Sequence, residues 1–354
     1  MKTRVAIAGL GGAAERIHLP ACRAVSDIEV VGACEIDEKR RKAMASRFGL
    51  DCTFETCEEM LAAVSPDLVI VGTPPDSHYS LSELALEAGA HVFCEKPFMP
   101  SVADADRIIE LARHNRRLLR VNNQYRFMTI YRETRERLER NEFGRLFHVQ
   151  CWQQMFHPPA SEPNWRRELL QYTLFEFATH ALDLIAYFYG DTPEAVNIFT
   201  PTCRPEFAAD VVVAGVLRFP GERIAVLNFN RVTQAQEKYL EMRLDCERSS
   251  LRLSLGGVAR VSVEWSRRAG RPVWKGGLLR GGQAREESGG GSAVYASAKR
   301  PEFAAATAEH LRLFLREMRE PEPCLDSALQ AREILRVVFA GYKSAESGET
   351  VRLK

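Results

Sequence analysis

Hydrophobic and polar positions along the chain follow two rhythms. In the first third, short apolar runs alternate with longer stretches of helical period. "RVAIAGLGG" (4–12) is a run of the kind buried on both faces in a parallel sheet, and it ends in glycines before "AAERIHLPACRAV", which can wind as a helix. "IEVVGACEID" (28–37) reads as a second strand closing on an acid, followed by the helical "EKRRKAMASRFG" and another helical stretch near 56–63. The strands "DLVIVGTPP" (67–75), "HVFCE" and "RLLRVNN" are separated by the helical "SHYSLSELALEAG" and "VADADRIIELARHN". Strands alternating with helices predict βαβ units and a doubly wound parallel sheet over residues 1–121.

From residue 122 the alternation stops. A helix-like stretch, "NNQYRFMTIYRETRERLERNEFG" (122–144), is followed by strand patterns at 145–155, 193–200, 210–218, 223–231, 239–245, 249–255 and 259–264, a series that reads as one antiparallel sheet. At 354 residues the chain exceeds the ~100–200 of one domain, so 122–354 is expected to form a second one. Within it, 174–190 is an almost wholly apolar helix, and C-terminal helices at 302–319 and 326–345 are expected to pack on both domains. Residues 267–298 are rich in Gly, Arg and Ser and are expected to be a long mobile loop or edge excursion. Trp274 and Tyr295 are their only aromatics, too few for an RNA-stacking tract.

Composition narrows the partners. The 48 basic and 47 acidic residues leave a formal charge of +1, so no global field favours nucleic acid or an anionic membrane. The nine cysteines are odd in number, scattered and without a C-x-x-C pair, which suits reduced thiols and gives no metal signature. No apolar run approaches the ~20 residues of a membrane span, and the N-terminal run is too short for a signal sequence. The expectation is a soluble, cytoplasmic protein with a small polar ligand.

The candidate chemistry lies at strand ends. Gly9-Leu10-Gly11-Gly12-Ala13-Ala14 fits G-x-G-x-x-G/A between a strand and a helix, where a pyrophosphate needs small residues and free helix N–H groups. Glu35, 21 residues beyond Ala14, stands where a carboxylate binds the adenosine ribose; it repels a 2′-phosphate and so favours NAD over NADP. Lys39, Arg40 and Arg41 either soften that preference, leaving NADP open, or form a solvated helix face. Thr73, Pro74, Pro75 and His78 close one later strand and Glu95 and Lys96 the next, which suits the nicotinamide side of a dinucleotide site. In 174–190, Glu176, His180 and Asp183 fall within roughly 60° on one helix face. Either the carboxylates satisfy a buried histidine, or the histidine transfers protons near neutrality.

The combination of "GLGGAAERIHLP", "TPPDSH" and "CEKP" resembles the Gfo/Idh/MocA oxidoreductases. The resemblance implies a Rossmann domain followed by a larger α/β domain with an open, mostly antiparallel sheet. It implies that Lys96 sits beside the nicotinamide and the reacting carbon, where a lowered pKa would let it orient or deprotonate the substrate oxygen. It also implies that Gln124, Tyr125 and Arg126 leave the Rossmann domain beside the cofactor and substrate. Glu176-x-x-x-His180-x-x-Asp183 is similar to the family's D-x-x-x-H-x-x-D, whose histidine is the proton-transfer partner of the substrate hydroxyl; Trp165 and Arg166 either contact the substrate or form an ordinary surface Trp–Arg stack. Two departures stand out: Glu176 is one methylene longer than the usual Asp, and "ELLQYT" stands where the family often has Gly-Gly-Gly. The implied activity is an NAD(P)-dependent dehydrogenase acting on a sugar, cyclitol or related polyol. An NAD-dependent glycosidase or lyase using transient oxidation and a catalytically weak NAD(H)-binding regulator are the alternatives. The implied partner is a second copy of the chain, in a homodimer or homotetramer.

Overall fold

A computed structural model describes residues 2–156, 164–201, 203–204, 206–234, 239–256, 258–266, 271–279, 281–298 and 302–353. The chain divides into two compact units: Met1–Phe127 with Phe303–Arg336, and Met128–Glu302 with Val337–Lys354.

The first unit is built on six parallel strands: β1 (Thr3–Ala8), β2 (Ile28–Cys34), β3 (Thr53–Phe54), β4 (Leu68–Val71), β5 (His91–Cys94) and β6 (Leu119–Val121). Their order, β3-β2-β1-β4-β5-β6, reverses direction between β1 and β4, the switch point where doubly wound sheets bind ligands. The central strands are apolar on both faces, as burial between two helix layers requires: Val5–Ala8 and Leu68–Val71 are fully buried. The glycine segment leads into a π-helical turn (Ala14–His18) and then α1 (Leu19–Arg23). Next come α2 (Glu38–Phe48), α3 (Cys57–Val64), α4 (His78–Glu87) and α5 (Val102–His114). Three of these start at side-chain caps, with Asp37, Thr56 and Ser101 accepting from the N–H groups of Arg40, Glu59 and Asp104. The helix Phe303–Glu317 belongs to this unit too: Leu311, Phe314 and Leu315 join the core of Val5, Ile7 and Leu10.

The second unit opens with α6 (Thr129–Glu139), after the 3-10 turn Gln124–Phe127 that ends the first. Its nine-stranded sheet has the order β16-β15-β12-β11-β7-β10-β9-β8-β17. The strands are β7 (Leu146–Gln154), β8 (Ala195–Phe199), β9 (Val212–Phe219), β10 (Arg223–Asn230), β11 (Leu240–Cys246), β12 (Ser250–Leu255), β15 (Gly282–Ser288), β16 (Gly291–Ala298) and β17 (Val351–Arg352). All pairings are antiparallel except β7 with β10. Between β7 and β8 run the short α7 (Asn164–Glu168), a π-helical turn (Thr173–Phe177) and α8 (Thr179–Tyr189). Residues alternate along the strands: Ala225, Leu227 and Phe229 are buried, whereas Ile224 and Val226 are about two-fifths exposed.

Three expectations are corrected here. Residues 267–298 are not a loop: β14 (Arg271–Leu279), β15 and β16 occupy most of them, with 267–270 and 280 outside the described residues. Glycine and serine weaken a strand's own preference, but β12 offers β15 a partner in register from Ser250 to Ser254, and such pairing overrides composition. The strand read at 259–264 is β13 (Val258–Ser266), which pairs with β14 in a separate two-stranded sheet instead of extending the large one. The helix read across 174–190 is interrupted at Ala178, with its first turn π-helical.

Close packing in the large sheet yields a test. A Cβ at Gly215 of β9 would collide with the Asn197 carbonyl and with Ile198 of β8. Gly215→Ala should therefore destabilise the protein by about 1–3 kcal/mol, read as a lowered urea midpoint at unchanged slope.

Candidate active site

In the first unit the chemistry collects where β1, β2, β4, β5 and β6 end. Gly9 has φ +90°, a conformation L side chains rarely adopt, and a Cβ there would lie 2.7 Å from Thr73 Cγ2. A Cβ at Gly11 would meet nothing within 4 Å, so the backbone there borders open space. Leu10 is buried, and Ala13 begins the helical turn that buries Ala14. Glu35 is fixed over this loop by two backbone donors, Leu10 N to Oε2 at 3.0 Å and Asp37 N to Oε1 at 3.1 Å. The basic run behind it is engaged elsewhere. Arg40 Nε donates to Leu10 O at 2.5 Å and its guanidinium pairs with Glu15, while Arg41 donates to the Glu35 carbonyl. Lys39 is exposed.

The β4 and β5 ends are braced from behind. His78 is wholly buried, with Nε2 2.9 Å from Thr73 O and Nδ1 2.9 Å from Pro97 O. Burial holds its pKa below the usual histidine range against the pull of those carbonyls, so the neutral ring donates to one at a time. Its geometry is that of a clamp between two loops; no face of the ring is open to a ligand. Pro75 is buried behind the same turn, Pro74 is exposed, and the Ser77 hydroxyl donates to Thr73 Oγ1 at 2.8 Å.

Glu95 is 7% exposed, and its Oε1 stands 2.9 Å from Nε2 of the buried His18. Asn122 Nδ2 donates to the same oxygen at 2.7 Å, and Lys96 N donates to Oε2 at 3.2 Å. Burial alone would raise the Glu95 pKa; the contact with His18 and its charge, then Asn122 and the Lys96 charge, outweigh it and hold the pKa at about 2. The carboxylate thereby joins the helical turn after the glycines, the β5 end and the residue after β6, and it fixes the backbone that presents the half-buried Lys96. Sequence reading missed His18 and Asn122. The signal was present: a histidine four residues after Ala14 and an asparagine closing the last strand, both at ends that the strand order brings together.

Gln124 is 3% exposed, and its Oε1 has no hydrogen-bond partner among the described residues. Buried polar atoms are normally satisfied, so an orphaned acceptor marks a place for a ligand. With the open backbone at Gly11 and the pinned Glu35, it makes this end of the sheet fit a dinucleotide. Tyr125 is buried, its ring 5.8 Å from that of Phe303, and Arg126 Nη1 donates to Gln330 at 2.5 Å.

In the second unit, Glu176, His180 and Asp183 are 5%, 5% and 1% exposed. His180 and Asp183, three residues apart on α8, share a face. Glu176 lies on the preceding π turn, so the expected 100° spacing does not carry across to it. Arg166 Nη2 donates to Glu176 Oε1 at 2.7 Å while its guanidinium lies 4.9 Å from the centre of the Trp165 ring, which makes the Trp165–Arg166 pair a support for the acid. Among the described residues no three His, Cys, Asp or Glu side chains gather in a metal-holding group, and no helix is long and apolar enough to cross a membrane.

The Glu95 pKa gives a stability prediction. A carboxylate depressed from 4.5 to about 2 on folding contributes stability that is present above pH 4.5 and is lost as pH falls towards 2. Glu95→Gln should therefore lower stability on the order of 3 kcal/mol at pH 7, with the difference from wild type shrinking between pH 4.5 and 2 in urea titrations.

Residues 3–123 match the oxidoreductase family with an NAD-binding Rossmann fold, and residues 131–252 match the GFO/IDH/MocA C-terminal domain. The chain is 32% identical over 144 residues to D-glucoside 3-dehydrogenase of Escherichia coli, covering 41% of each chain. It is 22% identical to myo-inositol 2-dehydrogenase of Thermotoga maritima over 99% of this chain and 98% of that one. The chain spans about half or less of the length of the first curated relatives it matches. An oxidoreductase from Agrobacterium radiobacter in complex with NAD⁺, L-tartaric acid and magnesium shares the fold, with TM-score 0.84 and 19% identity over 99% and 98% of the two chains. With both domains matched and the dinucleotide end in place, the chain belongs to the Gfo/Idh/MocA family of NAD-binding oxidoreductases.

Proposed function

We propose that this chain is an NAD-dependent dehydrogenase that oxidises a hydroxyl-bearing carbon of a sugar, cyclitol or related polyol, or runs the reverse reduction. Bound NAD⁺ would supply the hydride acceptor at nicotinamide C4. His180 takes the hydroxyl proton as the carbonyl forms and returns it in the reverse direction. The Lys96 ammonium donates a hydrogen bond to the same oxygen and stabilises the negative charge that develops there. Glu176 and Asp183 orient the imidazole and balance the charge it gains. Trp165, Arg166, Tyr125 and Arg126 bound the substrate, and Gln124 and Thr73 the cofactor.

The observation that carries this reading is the burial of Glu176, His180 and Asp183 in an otherwise apolar stretch. Burying three ionisable groups among leucines and phenylalanines is costly for a fold with no use for them. The choice of NAD over NADP is supported by the pinned Glu35 carboxylate and by the engagement of Arg40 with Leu10 and Glu15. Named relatives include D-glucoside 3-dehydrogenase and myo-inositol 2-dehydrogenase, which sets the substrate class to try first. In an assay of NAD reduction across a panel of sugars and cyclitols, Lys96→Met and His180→Asn should each lower kcat on the best substrate by ~10²- to 10⁴-fold. Unchanged turnover in both would refute the assignment.

We also assign the open face of the nine-stranded sheet to a second copy of the chain. Ile224, Val226 and the neighbouring Val216 are 36–38% exposed, and Phe199 is 58% exposed, an apolar area rarely left to water. Light scattering should give a multiple of the monomer mass, and Val226→Asp with Ile224→Asp should reduce it to one chain. A monomeric wild type rejects the assignment.

A further inference from the structure

The π turn Thr173–Phe177 begins without a capping side chain from Tyr172. A helical N-terminus leaves four backbone N–H groups with no partner inside the helix. The four at Tyr172–Phe175 go to two side chains from distant parts of the sequence. The Asp210 carboxylate accepts from Tyr172 N at 2.7 Å and Thr173 N at 3.0 Å. The Tyr342 hydroxyl oxygen accepts from Leu174 N at 3.1 Å and Phe175 N at 3.3 Å. Its proton goes to Asp210, whose carboxylate oxygens lie 3.3 and 3.4 Å away. Burial, and then the Asp210 charge, push the tyrosine pKa far above its usual value, so the hydroxyl stays a donor.

Asp210 is itself held. Its backbone carbonyl accepts from Thr173 Oγ1 at 2.5 Å and from Arg231 Nε at 3.1 Å, and the Arg231 guanidinium lies 4.1 Å from the centre of the Tyr172 ring. Asp210, Tyr342, Arg231 and Thr173 are all buried. A buried carboxylate is an expensive cap where a serine would serve, but its charge suits the positive end of the turn and its two oxygens serve two donors at once. Glu176 follows immediately after the last of these four N–H groups, and its own N–H returns to Tyr172 O at 2.7 Å. The path of the chain into Glu176, and from there through Ala178 into His180, is therefore set by Asp210 and Tyr342.

We propose that Asp210 is a positioning residue: with Tyr342 it fixes the π turn so that Glu176 orients the His180 imidazole towards the reacting hydroxyl. This role rests on the assignment of His180 as the proton acceptor and of Glu176 as the group that orients it. In the full-length protein, Asp210→Asn should lower kcat ~10- to 100-fold. The NAD dissociation constant should stay within about twofold, because the dinucleotide residues lie in the other unit. Amides 172–178 should lose hydrogen-exchange protection while α8 beyond Leu182 keeps it. The decisive arm is a double-mutant cycle: in a Glu176→Gln background, Asp210→Asn should cost less than about twofold more in kcat, because the group it positions is already lost. If Asp210→Asn does not fold, Tyr342→Phe, which removes only the hydroxyl, carries the same test with a smaller expected loss. Full additivity in the cycle, or unchanged kcat in Asp210→Asn beside an impaired Glu176→Gln, overturns the positioning role alone. An unimpaired Glu176→Gln overturns the orienting role of Glu176 and the Asp210 role with it.

Discussion

A charged carboxylate kept inside the protein organises the cofactor end of the first unit. Glu95 has lost nearly all its water, and an ionised group in that position persists only where neighbours replace what water supplied. His18, Asn122 and the Lys96 backbone N–H do so, and each belongs to a different segment: the turn after the glycines, the end of β6 and the chain just past β5. Removing one partner would leave the others facing an uncompensated charge, so the three segments are fixed as a set. The glycine loop can then be open at Gly11 and left-handed at Gly9 without losing its place, because the helical turn that follows is tied at His18.

The second unit solves a related problem with different means. Its apolar helix carries His180 and Asp183, and the backbone leading into it is a π turn that carries Glu176 and whose N–H groups would be orphaned without help from outside. Asp210 and Tyr342 supply that help from the segment before β9 and from the C-terminal helix. Arg166 adds a cation beside Glu176 and Trp165 holds the cation. The buried Glu176 and the turn that carries it are thus held by side chains from other segments, which fixes their geometry.

Family membership settles less than these details do. It establishes the family and its NAD-binding domain, and distant similarity over the full chain establishes the fold. The departures from the family pattern are where this chain has its own physics. The longer Glu176 arm is met by Arg166, and "ELLQYT", in place of a glycine run, leads into a turn capped through Asp210.

By itself the sequence determined whatever depends on neighbours in the chain: the doubly wound alternation, the glycine turn, the acid ending β2 and the polar groups embedded in an apolar helix. Those features are local because strand and helix periods, backbone freedom at Gly9 and helix capping act over a few residues. Only the tertiary structure decided that His78 is a brace between two loops, that Glu95 is held by His18 and Asn122, and that Arg271–Leu279, Gly282–Ser288 and Gly291–Ala298 form strands. It also decided that 174–190 breaks into a π turn and a helix. Each of these turns on a partner far away in sequence: a carbonyl for a ring nitrogen, an imidazole for a carboxylate, a paired strand for a glycine-rich segment, two side chains for four backbone N–H groups. No pattern within a window of the chain specifies which distant group arrives, because that is settled by the strand order and packing that bring the segments together.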